Sequence, residues 1–156
     1  VDRVRLFAPD AADLRYLAAN LREADVQELR AVHGPDLDLE HCLRQSVLAS
    51  EECFVACTAY GEPMAVFGVA PISLLGGEGC PWMLGTESLH HYGREIVTLS
   101  RAKMAEWGRR YGLLFNYVDA RNTRALRWLK RSGFGVFAPA PYGVEGRPFH
   151  RVERCT

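Results

Sequence analysis

From Val4 to Phe7 charged and apolar residues alternate around Arg5, Pro9-Asp10 interrupts, and Leu14, Leu17, Ala18 and Leu21 then recur at helical spacing. The pattern predicts a strand entering a helix. Asp10 suits the N-cap, because its carboxylate accepts the free N–H groups of the first turn, and Asp13 adds negative charge where the helix dipole favours it. Apolar periodicity persists through Val26, Leu29 and Val32, with a break near Ala24-Asp25, until Gly34-Pro35 ends it. A shorter helix follows from about Leu39 to Leu48, with Cys42, Leu43 and Val47 inward.

Cys53–Cys57 and Met64–Val69 are apolar runs separated by Tyr60-Gly61-Glu62-Pro63, the turn chemistry of an antiparallel hairpin. After the glycine-rich residues 75–79 a short strand fits Pro81–Leu84. The longest helix runs from about Tyr92 to Tyr111, with Ile96, Ser100, Met104, Trp107 and Tyr111 on its inner stripe and Gly112 as its stop. Leu113–Val118 reads as a buried strand. Asn122 caps a last helix with Ala125, Leu126 and Leu129 inward, Lys130 and Arg131 at its C-terminal turn and Gly133 beyond. Phe134–Phe137 and Phe149–Val152 complete the order β-α-α-β-β-β-α-β-α-β-β. Without repeats or linkers, this predicts a single α/β domain over residues 1–156, a mixed sheet covered by helices.

Composition adds mainly exclusions. The chain has 156 residues, 48% hydrophobic and 24% charged, so it can bury a core of its own. Its longest apolar runs, such as Met64–Phe67, fall far short of the roughly 20 residues that cross a bilayer. Nineteen basic residues balance nineteen acidic ones, a poor footing for sequence-independent nucleic-acid binding. Five scattered cysteines, an odd number without a CxxC pair, favour reduced thiols in a cytosolic setting and argue against a metal site. The start at Val1 reads as trimmed or processed, with no charged-then-apolar leader.

The stretch from Trp107 through Gly112, Leu114-Phe115-Asn116-Tyr117-Val118, Asn122, Ala125 and Gly133-Phe134 resembles the second half of the GNAT N-acetyltransferase superfamily. The element order resembles it too. More narrowly, Asn116-Tyr117-Val118, Asn122 and Leu129-Lys130 with Gly133 are similar to a GNAT-like branch of short-tailed bacteriophages, whose members serve in the virion or its assembly. The resemblance implies a mostly antiparallel central sheet with helices on both faces. It also implies acetyl-CoA between two splayed parallel strands, beside Leu84, Gly85, Gly93, Arg94 and Asn122, and an amine as acceptor.

A helix start presents unpaired N–H groups and a positive dipole end to a pyrophosphate. The family pattern there maps onto His90-His91-Tyr92-Gly93-Arg94-Glu95, where only Gly93 fits cleanly and Glu95 sets a carboxylate close to two phosphates. Arg94 or protonated histidines would offset it. Acetyl transfer needs a deprotonated amine, N–H groups on the oxyanion and an acid for the departing thiolate. Many members supply that acid as a tyrosine where this chain has Leu129, so the role passes to Tyr92 or Tyr117, or turnover is weak or absent.

Other residues carry a structural reading beside the functional one. Glu78 and Glu87 bracket the fourth strand, where some members keep a catalytic glutamate, but carboxylates beside glycines are more often solvated. Asn116, polar within an apolar strand, reads first as an amide bridging splayed strands. Trp82, Trp107 and Trp128 read as core or interface anchors, and adjacent His90-His91 point apart, without a third ligand at suitable spacing. Arg121, Arg124, Arg127, Lys130 and Arg131 crowd the last helix; they form a solvated face, or contact the cofactor's 3′-phosphate, an acidic partner or nucleic acid. Three readings therefore stand: an acetyltransferase, a non-catalytic phage virion protein with phage or host partners, and a binding module using residues 121–131.

Overall fold

The computed structural model describes residues 3–73 and 75–156, so Val1, on which the reading of a processed start rests, lies outside them. The elements in order are β1 (Val4–Phe7), α1 (Ala11–Asn20), α2 (Glu23–His33), α3 (Leu39–Ala49), β2 (Glu52–Thr58), β3 (Pro63–Pro71) and β4 (Glu78–Gly85). A short 3-10 turn, Glu87–Tyr92, leads into α4 (Gly93–Tyr111), followed by β5 (Leu113–Asp119), α5 (Thr123–Arg131), β6 (Gly135–Val136), β7 (Ala140–Tyr142) and β8 (Arg147–Cys155). The strands form one sheet in the order β1-β2-β3-β4-β5-β8-β6, with β7 pairing β8. Among the described residues, β4 and β5 are its one parallel pair. The mixed, mostly antiparallel sheet is therefore as the sequence implied.

Helices cover both faces because each strand alternates its side chains between two cores. On one side Leu14 and Leu17 of α1 and Leu43 of α3 pack on Val55, Cys57, Val66 and Leu84. On the other, Ile96, Met104 and Trp107 of α4 and Leu129 of α5 pack on Ala65, Phe67, Leu114, Val118 and Val152. Local signals hold where they were read. Asp10 and Asp13 form a reciprocal capping box, with Asp10 Oδ1 accepting from the Asp13 N–H at 2.8 Å. Asn122 Oδ1 accepts from the Ala125 N–H at 3.3 Å.

Three expectations are corrected. The first helical region is two helices, so three helices precede β2, and the break falls at Leu21-Arg22 rather than Ala24-Asp25. Arg22 N–H donates to the Gly85 carbonyl at 2.9 Å and Leu21 bridges Thr86, so pairing with the end of β4 pulls the chain into extended backbone. The strand over Phe134–Phe137 shrinks to Gly135–Val136. The Pro/Gly-rich segment after it contains β7, whose hairpin with β8 docks on the end of α2. There the Val144 N–H donates to the Val32 carbonyl at 3.1 Å, and a Cβ on Gly143 would stand 2.7 Å from the Ala31 oxygen.

Candidate active site

β4 and β5 pair only at Glu78 with Leu113 and Gly79 with Leu114, then separate. Asn116 sits where they part. Its Nδ2 donates to the Pro81 carbonyl at 2.8 Å and its Oδ1 accepts from the Tyr117 N–H at 2.7 Å, so one amide bridges the two strands. This is the bridging role read from the sequence.

The ladder with β3 decides what β4 offers to the gap. Ile72 N–H donates to the Glu78 carbonyl and Thr86 N–H to the Met64 carbonyl, so the even-numbered residues of β4 turn their backbone to β3. Gly79, Pro81, Met83 and Gly85 therefore face β5. The Pro81 carbonyl is taken by Asn116, the Gly85 N–H by Asp25 Oδ2 at 2.9 Å and the Gly85 carbonyl by Arg22. Met83 keeps an open N–H and C=O. Of the residues expected to hold a cofactor, Leu84 thus spends its backbone on β3 and Gly85 spends its own on α2 and the residue before it; Met83, which the sequence reading passed over, is the open one.

A cleft of about 970 Å³ runs through this opening from one sheet face to the other. Leu84, Gly93, Asn122 and Tyr117 line it, whereas Arg94 lines a shallower groove beside the α4 N-terminus. Tyr92 lines neither. Its ring instead lies under the Arg3 guanidinium, 4.8 Å from ring centroid to Cζ. No side chain caps the start of α4, and a Cβ at Gly93 would meet nothing within 4 Å. Glu95 is offset by Arg3, whose Nη1 is 3.2 Å from Glu95 Oε1, rather than by the residues expected to do so. His90 pairs with Glu87 at 2.7 Å and meets Arg124. Leu129 is 7% exposed within the core, an apolar group bordering the cleft.

The α2 side of the cleft carries the chemistry that the sequence did not disclose. Glu28 Oε1 accepts from the Asp119 N–H at 2.8 Å and Oε2 from Asn122 Nδ2 at 3.3 Å. Burial pushes its carboxyl up to about 7, outweighing those two hydrogen bonds, with Asp25 and Asp119 adding to the rise. Asp25 and Asp119 are each matched: Arg22 forks onto Asp25, and Arg121 Nη2 lies 2.7 Å from Asp119 Oδ2. Among the described residues no cation forms an ion pair with Glu28. Helical spacing placed Leu29 and Val32 inward but gave no sign that Glu28, one residue away, would meet β5. Tyr117 stacks on Tyr142 with centroids 4.3 Å apart, and its hydroxyl oxygen accepts from Arg151 Nη1 at 3.0 Å.

No protein-family model matches the chain, and no curated protein matches it in sequence. Solved structures match it in shape. A GCN5-related N-acetyltransferase from Kribbella flavida superposes with a TM-score of 0.72 at 17% identity, covering 99% of this chain and 98% of that one. Spermidine N-acetyltransferase from Vibrio cholerae, in complex with CoA and spermine, has a TM-score of 0.71 at 14% identity, covering 98% and 95%. AAC(6')-Ib in complex with ribostamycin and coenzyme A has a TM-score of 0.70 at 21% identity, covering 99% and 94%. The fold is that of the GNAT N-acetyltransferases.

Proposed function

We propose that this chain is an N-acyltransferase that moves an acetyl group from acetyl-CoA to an amine. The observation that carries the reading is the gap between β4 and β5, propped by Asn116 and lined by the open backbone pair of Met83. Two of the similar structures hold coenzyme A. The residues present fit that group: Met83 offers strand-like hydrogen bonds to an amide-bearing arm, and the uncapped start of α4 offers N–H groups and a positive dipole end to phosphates. Gly93 leaves room there, and Arg94 and Arg124 add positive charge.

Bound acetyl-CoA supplies a thioester whose carbonyl an amine attacks. The Met83 N–H, which faces the gap, is the group that would donate to that carbonyl oxygen, and Asn122 ties α5 and the end of β5 to Glu28. Of the two tyrosines expected to act as acids, Tyr92 lies outside the cleft, and Tyr117 remains, its hydroxyl held by Arg151. Soluble binding is the simplest test. At about a hundred times its dissociation constant, acetyl-CoA adds roughly 2.7 kcal/mol, a rise of about 5 to 11 °C in melting temperature for a chain of this size. No rise at millimolar acetyl-CoA overturns the reading and leaves virion assembly or partner binding. The basic last helix is a weaker rival, because Arg121 is tied to Asp119 and Arg124 meets His90.

A further inference from the structure

The two faces of the cleft differ in kind. On the α2 side the cavity is lined mainly by rings and aliphatic groups, Trp82, Tyr117, Tyr142, Leu29 and Val32, with His33 and Ser46 beside them. Their polar atoms are mostly engaged elsewhere. The Trp82 indole N–H donates to Ser50 Oγ at 2.8 Å, and the Tyr117 oxygen is held by Arg151. The charged groups facing Glu28 are Asp25 with its partner Arg22, and Asp119 with its partner Arg121, so each neighbouring carboxylate is already neutralised. Glu87, which also lines the cleft, is exposed at its rim and pairs with His90, so Glu28 is the one buried carboxylate of the cleft left without a cationic partner among the described residues.

We propose that the acceptor is a primary amine on a short aliphatic arm joined to an aromatic ring, with the ring against Trp82 and the stacked Tyr117–Tyr142 pair and the ammonium at Glu28, which takes its proton. The proposal rests on the acyl-transfer reading and adds the acceptor to it. A linear polyamine or an aminoglycoside carries several cations and asks for several free carboxylates, whereas one cation and an apolar body match one unmatched carboxylate and a wall of rings. The β7–β8 hairpin closes this side, since its docking on α2 sets Tyr142 over Tyr117.

The step balances without a further reactant. The Glu28 carboxylate removes one proton from the ammonium, and the freed nitrogen attacks the thioester carbonyl carbon. The C–N bond forms and the C–S bond breaks with its electron pair on sulfur. The second nitrogen proton ends on that sulfur as the CoA thiol, and Glu28 returns the first to solvent. Glu28 must be ionised to act, and burial holds its carboxyl up to about 7, so kcat/KM rises with pH through that value to a plateau.

The test follows CoA release by the full chain with acetyl-CoA and, in separate runs, 2-phenylethylamine, spermidine and kanamycin between pH 5.5 and 9. The aryl amine is expected to exceed both others by at least about tenfold in kcat/KM. Glu28→Gln, which keeps a carbonyl oxygen for one of the two donors, is expected to lower kcat/KM about a hundredfold and to erase the limb near pH 7. It leaves the acetyl-CoA melting shift in place. Tyr142→Ala is expected to raise KM for the aryl amine about tenfold with little change in kcat. Equal or faster turnover of spermidine or kanamycin, or a Glu28→Gln enzyme with the parent pH profile, overturns the proposal while acyl transfer stands. Absence of acetyl-CoA binding removes both.

Discussion

The side-chain amide of Asn116 on β5 donates to the main-chain carbonyl of Pro81 on β4 at 2.8 Å, two residues past the last paired residue of each strand. Pro81 has no N–H to lose at this spot, and its carbonyl would otherwise face an opening with no strand to receive it. One amide thus closes the apex of the gap and leaves the next outward-facing residue, Met83, open.

Replacing Asn116 by leucine strands the Pro81 carbonyl and the Tyr117 N–H. The expected loss is about 1 to 3 kcal/mol by urea denaturation, with weaker acetyl-CoA binding because the gap loses its prop. A variant as stable as the parent would show that the bridge is incidental.

Met83→Pro tests the phase of the β4 ladder. Its N–H points away from β3, so proline removes a group facing the gap while sparing the ladder. Compared with Met83→Ala, which carries the same loss of packing, the proline variant is expected to melt within a few degrees and to bind acetyl-CoA about tenfold more weakly. If its strand pairing collapses instead, with the far-ultraviolet dichroism of the sheet, the assigned phase is wrong.

Stability should depend on pH through Glu28. Its folded carboxyl titrates at about 7 against 4.5 for an ordinary glutamate, so the folded state holds the proton more tightly than the unfolded one. The contribution is fully present below about pH 4.5, is lost as pH rises towards 7, and is constant above it. The span is on the order of 3 kcal/mol. Unfolding free energies measured at pH 5 and pH 8 should therefore differ by less in Glu28→Gln than in the parent, and an unchanged difference would refute the assignment.

Gly143 has φ +74°, and a Cβ there would stand 2.7 Å from both the Ala31 oxygen and the Val32 Cα. Gly143→Val is expected to cost about 1 to 3 kcal/mol and to lift the β7–β8 hairpin, measurable as a lower melting temperature and increased solvent access to Tyr142. Gly61→Val, also at positive φ but with open space around it, separates backbone strain from the clash.

Several elements were legible because their signals are local. Asp10 and Asn122 cap helices with their own carboxylate and amide, α4 shows its core stripe from Ile96 to Trp107, and Pro63 follows a tight turn between two apolar runs. Asn116 stood out as one amide in an apolar strand. The helix break at Leu21-Arg22 did not, because its cause is a hydrogen bond to Gly85, more than sixty positions away. β7 escaped for the same reason: Ala140–Tyr142 has little strand pattern of its own and is extended because β8 pairs with it.

Hydrophobic period and capping chemistry, which act within a few residues, determined the elements and the two faces each strand must cover. Which carboxylate meets the opening was settled only when α2 packed against β5. Glu28 looks no different in the sequence from Glu23, five residues earlier on the same helix; desolvation and the amides of Asp119 and Asn122, brought from about ninety positions away, make it different. Proton affinity depends on surroundings, and those surroundings exist only in the folded molecule.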